Sequence, residues 1–138
     1  MSESVLQFVR RYVEAWNAHD AERVAAFYAH EFQDDDVAEA APRDGREHMR
    51  RKIAAYLQAF PDLHLTLDEC VVEGNRVVVF WRWSGTHQGT FMRIPPTGRA
   101  VTVRGSSLLT LEEGHIRRAL RIWDVAGLLR AIGLLPEL

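Results

Sequence analysis

Cysteine is almost missing from this chain of 138 residues: Cys70 stands alone, which excludes an intramolecular disulfide and any multi-cysteine zinc or iron–sulfur site. That usage suits a reducing, cytoplasmic location. Lysine is as scarce. Lys52 is the one example among seventeen basic residues, and no run of arginines supplies the electrostatic footprint that nucleic acid requires. Neither sign of charge is in excess, since nineteen acidic residues leave a formal charge of −2. No apolar stretch approaches the length of a membrane span, and Met1-Ser2-Glu3-Ser4 lacks the charged and apolar regions of a signal peptide. These absences point away from nucleic acid and membrane partners. The length is that of one ordinary domain with a real core, so residues 1–138 are read as a single domain.

What is present is periodicity. Val5, Leu6, Phe8, Val9, Tyr12, Val13 and Trp16 recur at helical spacing and predict a first helix. Asp20 is placed to cap a second, with Val24, Phe27 and Tyr28 as its buried stripe. Residues 29–44 lack periodicity and carry the triplet Asp34-Asp35-Asp36, so they read as a long loop whose charges face water. Met49, Ile53, Tyr56 and Leu57 restore helical spacing, and Pro61 ends a third helix of roughly 45–59. Beyond it the period becomes two. Leu63, Leu65 and Leu67 pair across Glu73-Gly74-Asn75 with Val77, Val79, Trp81 and Trp83 in a predicted hairpin. A strand from about 99 to 111, another ending near Asp124, and a short helix from Val125 to Ile132 complete the chain. Helices followed by a meander predict an α+β fold: three N-terminal helices on one face of a curved, antiparallel, four-stranded sheet, with a short C-terminal helix.

Several side chains are candidates for chemistry. His87 shares strand parity with Trp81 and Trp83, which allows all three to face one concave surface. Its imidazole either hydrogen-bonds a substrate carbonyl or fixes a loop. Trp16, Trp81, Trp83, Trp123, Phe27, Phe32 and Phe91 supply aromatic surface for a pocket wall or for plain core. Arg104 interrupts an apolar strand, as an outward-facing residue or as the partner of a pocket acid. Cys70 reads as an apolar filler, and no histidine or carboxylate spacing calls for a metal.

The stretch Gly85-Thr86-His87-Gln88-Gly89, with Phe91 and Pro95-Pro96-Thr97-Gly98-Arg99, resembles the Gly-Thr-His-x-Gly and Pro-Thr-Gly-Arg signatures of SnoaL-like polyketide cyclases, a branch of the NTF2-like superfamily. Trp16-Asn17 with Asp20, Phe60-Pro61-Asp62, and Trp123-Asp124 before a Leu-Leu segment fit the same branch. The resemblance implies an NTF2-like cone enclosing one apolar pocket, and cofactor-independent closure of a ring by intramolecular aldol condensation. The position matching the family's acid/base aspartate is Asp124. A carboxylate at the mouth of an apolar pocket has a raised pKa and becomes a useful base. An aspartate immediately before a helix is equally a favoured N-cap. On this reading Asp124 and His87 are the catalytic pair, with Trp16, Phe32, Trp81, Trp83, Phe91 and Arg104 binding a small apolar or polyketide-like ligand, and with no metal or cofactor.

Three other functions share the fold. Epoxide hydrolysis of the limonene type resembles an Asp-Arg-Asp relay, which Arg104-Gly105-Ser106 weakens by offering serine. Steroid-type isomerisation needs a tyrosine beside a protonated aspartate, and Tyr12, Tyr28 and Tyr56 are available. A non-catalytic ligand-binding or dimerisation module is the third. The face of the sheet left open by the helices predicts a homodimer.

Overall fold

Ser4 starts the first helix by accepting a hydrogen bond from the Gln7 amide while the Gln7 side chain accepts from Ser4, a reciprocal cap. A computed structural model of the chain describes residues 3–138; Met1 and Ser2, part of the polar start noted above, lie outside the described residues. The elements run α1 (Val5–Asn17), α2 (Ala21–Ala25), β1 (Tyr28–Asp36), β2 (Arg43–Asp44), α3 (Arg46–Ala59), β3 (His64–Glu73), β4 (Arg76–Thr86), β5 (Ala100–Glu112), β6 (His115–Trp123) and α4 (Val125–Ala131). Asp20 caps α2 through the Arg23 amide, as expected. No helix of the described residues is long and apolar enough to cross a membrane.

The sheet is curved and unclosed, and it has six strands where four were expected, in the order β2-β1-β6-β5-β4-β3. The four expected strands are β3 to β6. The two additional strands come largely from residues 29–44, where the expected long loop is confined to residues 37–42. Nor do three helices precede the sheet, because β1 and β2 stand between the short α2 and α3. Strand β1 pairs in parallel with β6, and the other neighbouring strands are antiparallel. Aspartates are poor strand formers, yet here they alternate strictly: Phe32, Asp34 and Asp36 are buried while Gln33 and Asp35 are exposed. The period of two was therefore present but carried by carboxylates rather than by apolar side chains.

Along β4, Val77, Val79 and Trp83 are buried, as is His87 just beyond its end, whereas Phe80, Arg82 and Ser84 are exposed. The inner face receives α1 against β3, α3 against β1 and α4 against β5. Two apolar clusters result. One gathers Phe8, Val24, Phe27, Tyr28, Phe32 and Ile53 beneath the first helices. The other gathers Phe60, Leu63, Trp83, Val103, Leu128 and Ile132 beneath α4. The space between the clusters is not filled.

Candidate active site

That space is a cavity of about 830 Å³ counted out to its open mouth. Its wall is largely aromatic, with Trp16 from α1, Tyr56 from α3, Trp81 and Trp83 from β4, and Trp123 from β6. Trp81 turns its indole N–H onto Ser107 Oγ at 2.9 Å, so the wall carries no stray donor there. The cavity also exposes Tyr12, Asp36, Lys52 and Arg121. Few polar groups converging in an otherwise apolar hollow are the usual form of a small-molecule site.

The polar groups are held by one network. Asp34 and Asp36 point inward from β1, Lys52 reaches them from α3, and Arg121 lies across the strand pair, since Asp36 and Arg121 are register partners. Lys52 Nζ donates to Asp36 Oδ2 at 2.7 Å and to Asp34 Oδ2 at 3.3 Å. The other Asp36 oxygen accepts from the Ala38 amide and from the Trp123 indole, each at 3.0 Å. Arg121 donates to Asp34 Oδ1 and, at 3.3 Å, to the Tyr28 hydroxyl, which shares a hydrogen bond with that of Tyr12. Each inward carboxylate thus has a cation against it, without which its burial would be prohibitive.

Burial pushes the Asp36 carboxyl up, but the hydrogen bond and charge of Lys52, with the Ala38 amide and the Trp123 indole, outweigh it and hold the group below its ordinary value. Tyr56 behaves oppositely: burial, reinforced by the negative charge of Asp36, pushes its phenol well above the ordinary range. It remains a protonated donor that lines the cavity with no hydrogen-bond partner among the described residues.

Of the residues expected at the site, Trp16, Trp81 and Trp83 are in the cavity wall. Phe91 lines an adjoining opening that shares Asp36, Lys52, Tyr56 and Trp123 with the main cavity. Phe32 is in the lower core, fully buried and away from the wall. Arg104 is exposed on the outer face, opposite Arg82; an unpaired guanidinium inside would cost more than any contact there returns. His87 is fully buried, stacked near Phe60, and its Nδ1 accepts from the Thr97 amide at 3.2 Å with the Thr97 hydroxyl at 3.0 Å. It ties the Pro-Pro-Thr-Gly segment to β4 and is not among the cavity-lining residues.

Asp124 is exposed and caps α4, accepting from the Gly127 amide at 2.8 Å. It too is absent from the cavity lining, and the carboxylate that does line the cavity is Asp36. Asp34, Asp36, Lys52 and Arg121 were missed. The signals available were the alternation of Phe32, Asp34 and Asp36 and the solitary lysine, neither of which differs locally from an exposed charged segment.

A profile of SnoaL-like polyketide cyclases matches residues 6–132 of the chain. Among solved structures, TsrD of Streptomyces laurentii is 30% identical, superposes with a TM-score of 0.84, and is matched over 95% of this chain and 96% of its own. AclR of Streptomyces galilaeus has 26% identity, a TM-score of 0.84 and coverage of 95% and 85%. IdmH of Streptomyces antibioticus has 26% identity, a TM-score of 0.77 and coverage of 95% and 99%. Among curated proteins nothing matches.

Proposed function

The chain belongs to the SnoaL-like polyketide cyclase family, and we propose that it is a small-molecule enzyme that performs acid/base catalysis of the aldol type on a polyketide-like substrate, with Asp36 in place of Asp124 as the acid/base. The observation that carries this reading is the Asp36–Lys52 pair, 2.7 Å apart, at the wall of an aromatic cavity. A carboxylate held by three donors is a weak base, so its substrate must be a carbon acid already activated by two flanking carbonyls. Asp36 removes that proton. Negative charge then moves onto a carbonyl oxygen, where the Lys52 ammonium and the Tyr56 hydroxyl stabilise the enolate in a site screened from water. The enolate carbon attacks a second carbonyl of the same folded chain, and the proton held by Asp36 returns to the new alkoxide. The indole walls favour the compact conformer that brings the two carbons together.

The test is exchange of the acidic C–H of an aryl 1,3-diketone with deuterium, followed by proton NMR. The wild type is expected to accelerate exchange over buffer, and Asp36→Asn to lose about 10²-fold or more of that acceleration. An Asp36→Asn protein that exchanges at the wild-type rate overturns the assignment. Saturation of both Asp36 oxygens favours a second reading, a non-catalytic ligand-binding module; there the wild type binds the diketone without raising its exchange.

We also propose that the protein is a homodimer. On the outer face Phe80, Ser106 and Ile122 stand in one row across three strands, with Val78, Leu108 and Leu120 in the next. Phe80 and Ile122 are 42% and 54% exposed, which leaves an apolar patch that a second copy would cover.

A further inference from the structure

Two buried polar atoms lie close to the catalytic network but belong to none of its bonds. His48 Nε2 and Glu39 Oε2 are sealed from solvent and have no hydrogen-bond partner among the described residues. Both face the fully buried Asp34, whose Oδ2 is 3.4 Å from His48 Nε2. One ligand-type atom from each of the three residues lies within 4.8 Å of the others. Burying such groups without partners is unfavourable, so the arrangement needs a further occupant.

The charges specify its sign. Asp34, Asp36 and Glu39 contribute three negative charges, while Lys52 and Arg121 contribute two positive ones. With His48 neutral the cluster has one negative charge in excess, within a partly desolvated site. Lys52 does not fill the place. Its short contact is to Asp36 at 2.7 Å, and it is 3.3 Å from Asp34 and 3.4 Å from Glu39 Oε1, the oxygen other than the orphan. Arg121 occupies only Oδ1 of Asp34. Glu39 Oε2 and His48 Nε2 therefore remain without a partner, and beside them Asp34 Oδ2 has only the longer Lys52 contact.

We propose that Asp34, Glu39 and His48 bind one divalent transition-metal ion. One imidazole nitrogen with two carboxylate oxygens suits manganese, iron, cobalt or zinc better than calcium or magnesium, which prefer all-oxygen shells. Of the three, Glu39 lines the opening that it shares with Ala38 and Ala55. Coordination requires small movements of Glu39 and His48 to close the 4.8 Å spread, and both side chains are partly exposed. None of the three residues is assigned a step in the proposed reaction, so the ion and the reaction stand or fall separately.

The experiment is titration of chelator-treated full-length protein with Co²⁺, read by visible absorption, and with Zn²⁺, read by calorimetry. The expected result is saturable one-to-one binding with ligand-field bands, weakened at least tenfold in His48→Gln and in Glu39→Gln, and unchanged in Asp124→Ala. X-ray absorption of the wild-type cobalt complex is expected to include one imidazole nitrogen, a readout that does not depend on the variants folding. Absence of stoichiometric binding, equal affinity in His48→Gln, or a complex without imidazole overturns the proposal. So does a nitrogen NMR spectrum in which the His48 ring is doubly protonated at neutral pH while cobalt fails to bind, because a proton would then be the missing cation.

Discussion

Gly105 is the position where the cavity wall is most sensitive to a single methyl group. It sits in β5 directly between Trp81 of β4 and Trp123 of β6, its register partners on either side. A Cβ added there would stand 2.6 Å from Trp123 Cβ, 2.7 Å from Trp81 Cζ2 and 2.8 Å from the Ile122 carbonyl oxygen. Comfortable carbon contacts begin near about 3.5 Å, so all three approaches fall short by most of an ångström. The Trp123 Cβ and the Ile122 carbonyl are tied to the backbone and cannot swing aside. Relief requires β5 and β6 to separate, which strains the strand that presents the Trp123 indole to Asp36. Overpacking of this kind costs about 1–3 kcal/mol, and replacing a strand glycine recovers about 0.5–1 kcal/mol, so the net expectation for Gly105→Ala is about 1.2 kcal/mol of destabilisation. With an unfolding entropy of about 2.1 cal/mol/K per residue, the 138 residues give about 0.3 kcal/mol/K, and the melting temperature falls by about 4 °C. Urea denaturation and thermal melting of Gly105→Ala measure this, with the exposed Thr102→Ala on the same strand as control. Trp81→Leu removes one obstacle, so the double variant is expected to lose less than the sum of the singles. A Gly105→Ala protein within about 0.5 kcal/mol of wild type refutes the claim that the indoles close over this glycine.

Two other outcomes follow from the assignments above. Asp124→Ala removes the cap of α4 and is expected to cost about 1 kcal/mol in urea denaturation while leaving diketone exchange intact; loss of exchange in a folded Asp124→Ala protein would return the acid/base role to that residue. The double variant Phe80→Glu with Ile122→Glu puts like charges into the outer apolar row, and light scattering is expected to change from a dimer mass for wild type to a monomer mass; a monomeric wild type removes the dimer.

Much of the fold was legible because the apolar side chains of α1, α3 and the β3–β4 hairpin repeat at the periods of helix and strand. The turn at Gly74 is a further local signal, with its φ of +60°. The aromatic wall was legible for the same reason, since Trp81 and Trp83 share the parity of Val77 and Val79. Strand β1 was not. Its inward positions are charged, and hydrophobic periodicity cannot register a strand whose buried face is partly carboxylate. His87 and Asp124 carried motif signals that were real, but the side chains serve the Thr97 loop and the α4 cap.

By itself the sequence determined α1, α3, the β3–β4 hairpin, the Asp20 cap and the family, because each rests on short-range spacing or on contiguous motifs; α2 ends at Ala25, and Tyr28, expected in its stripe, begins β1. Tertiary structure alone decided which acids are inside. An aspartate on a strand is stable facing inward only if a cation arrives from elsewhere, and Lys52 comes from 18 residues away and Arg121 from 87 residues away from Asp34. The balance between desolvation and ion pairing is struck only when β1, α3 and β6 meet, and it moved the candidate chemistry from Asp124 to Asp36.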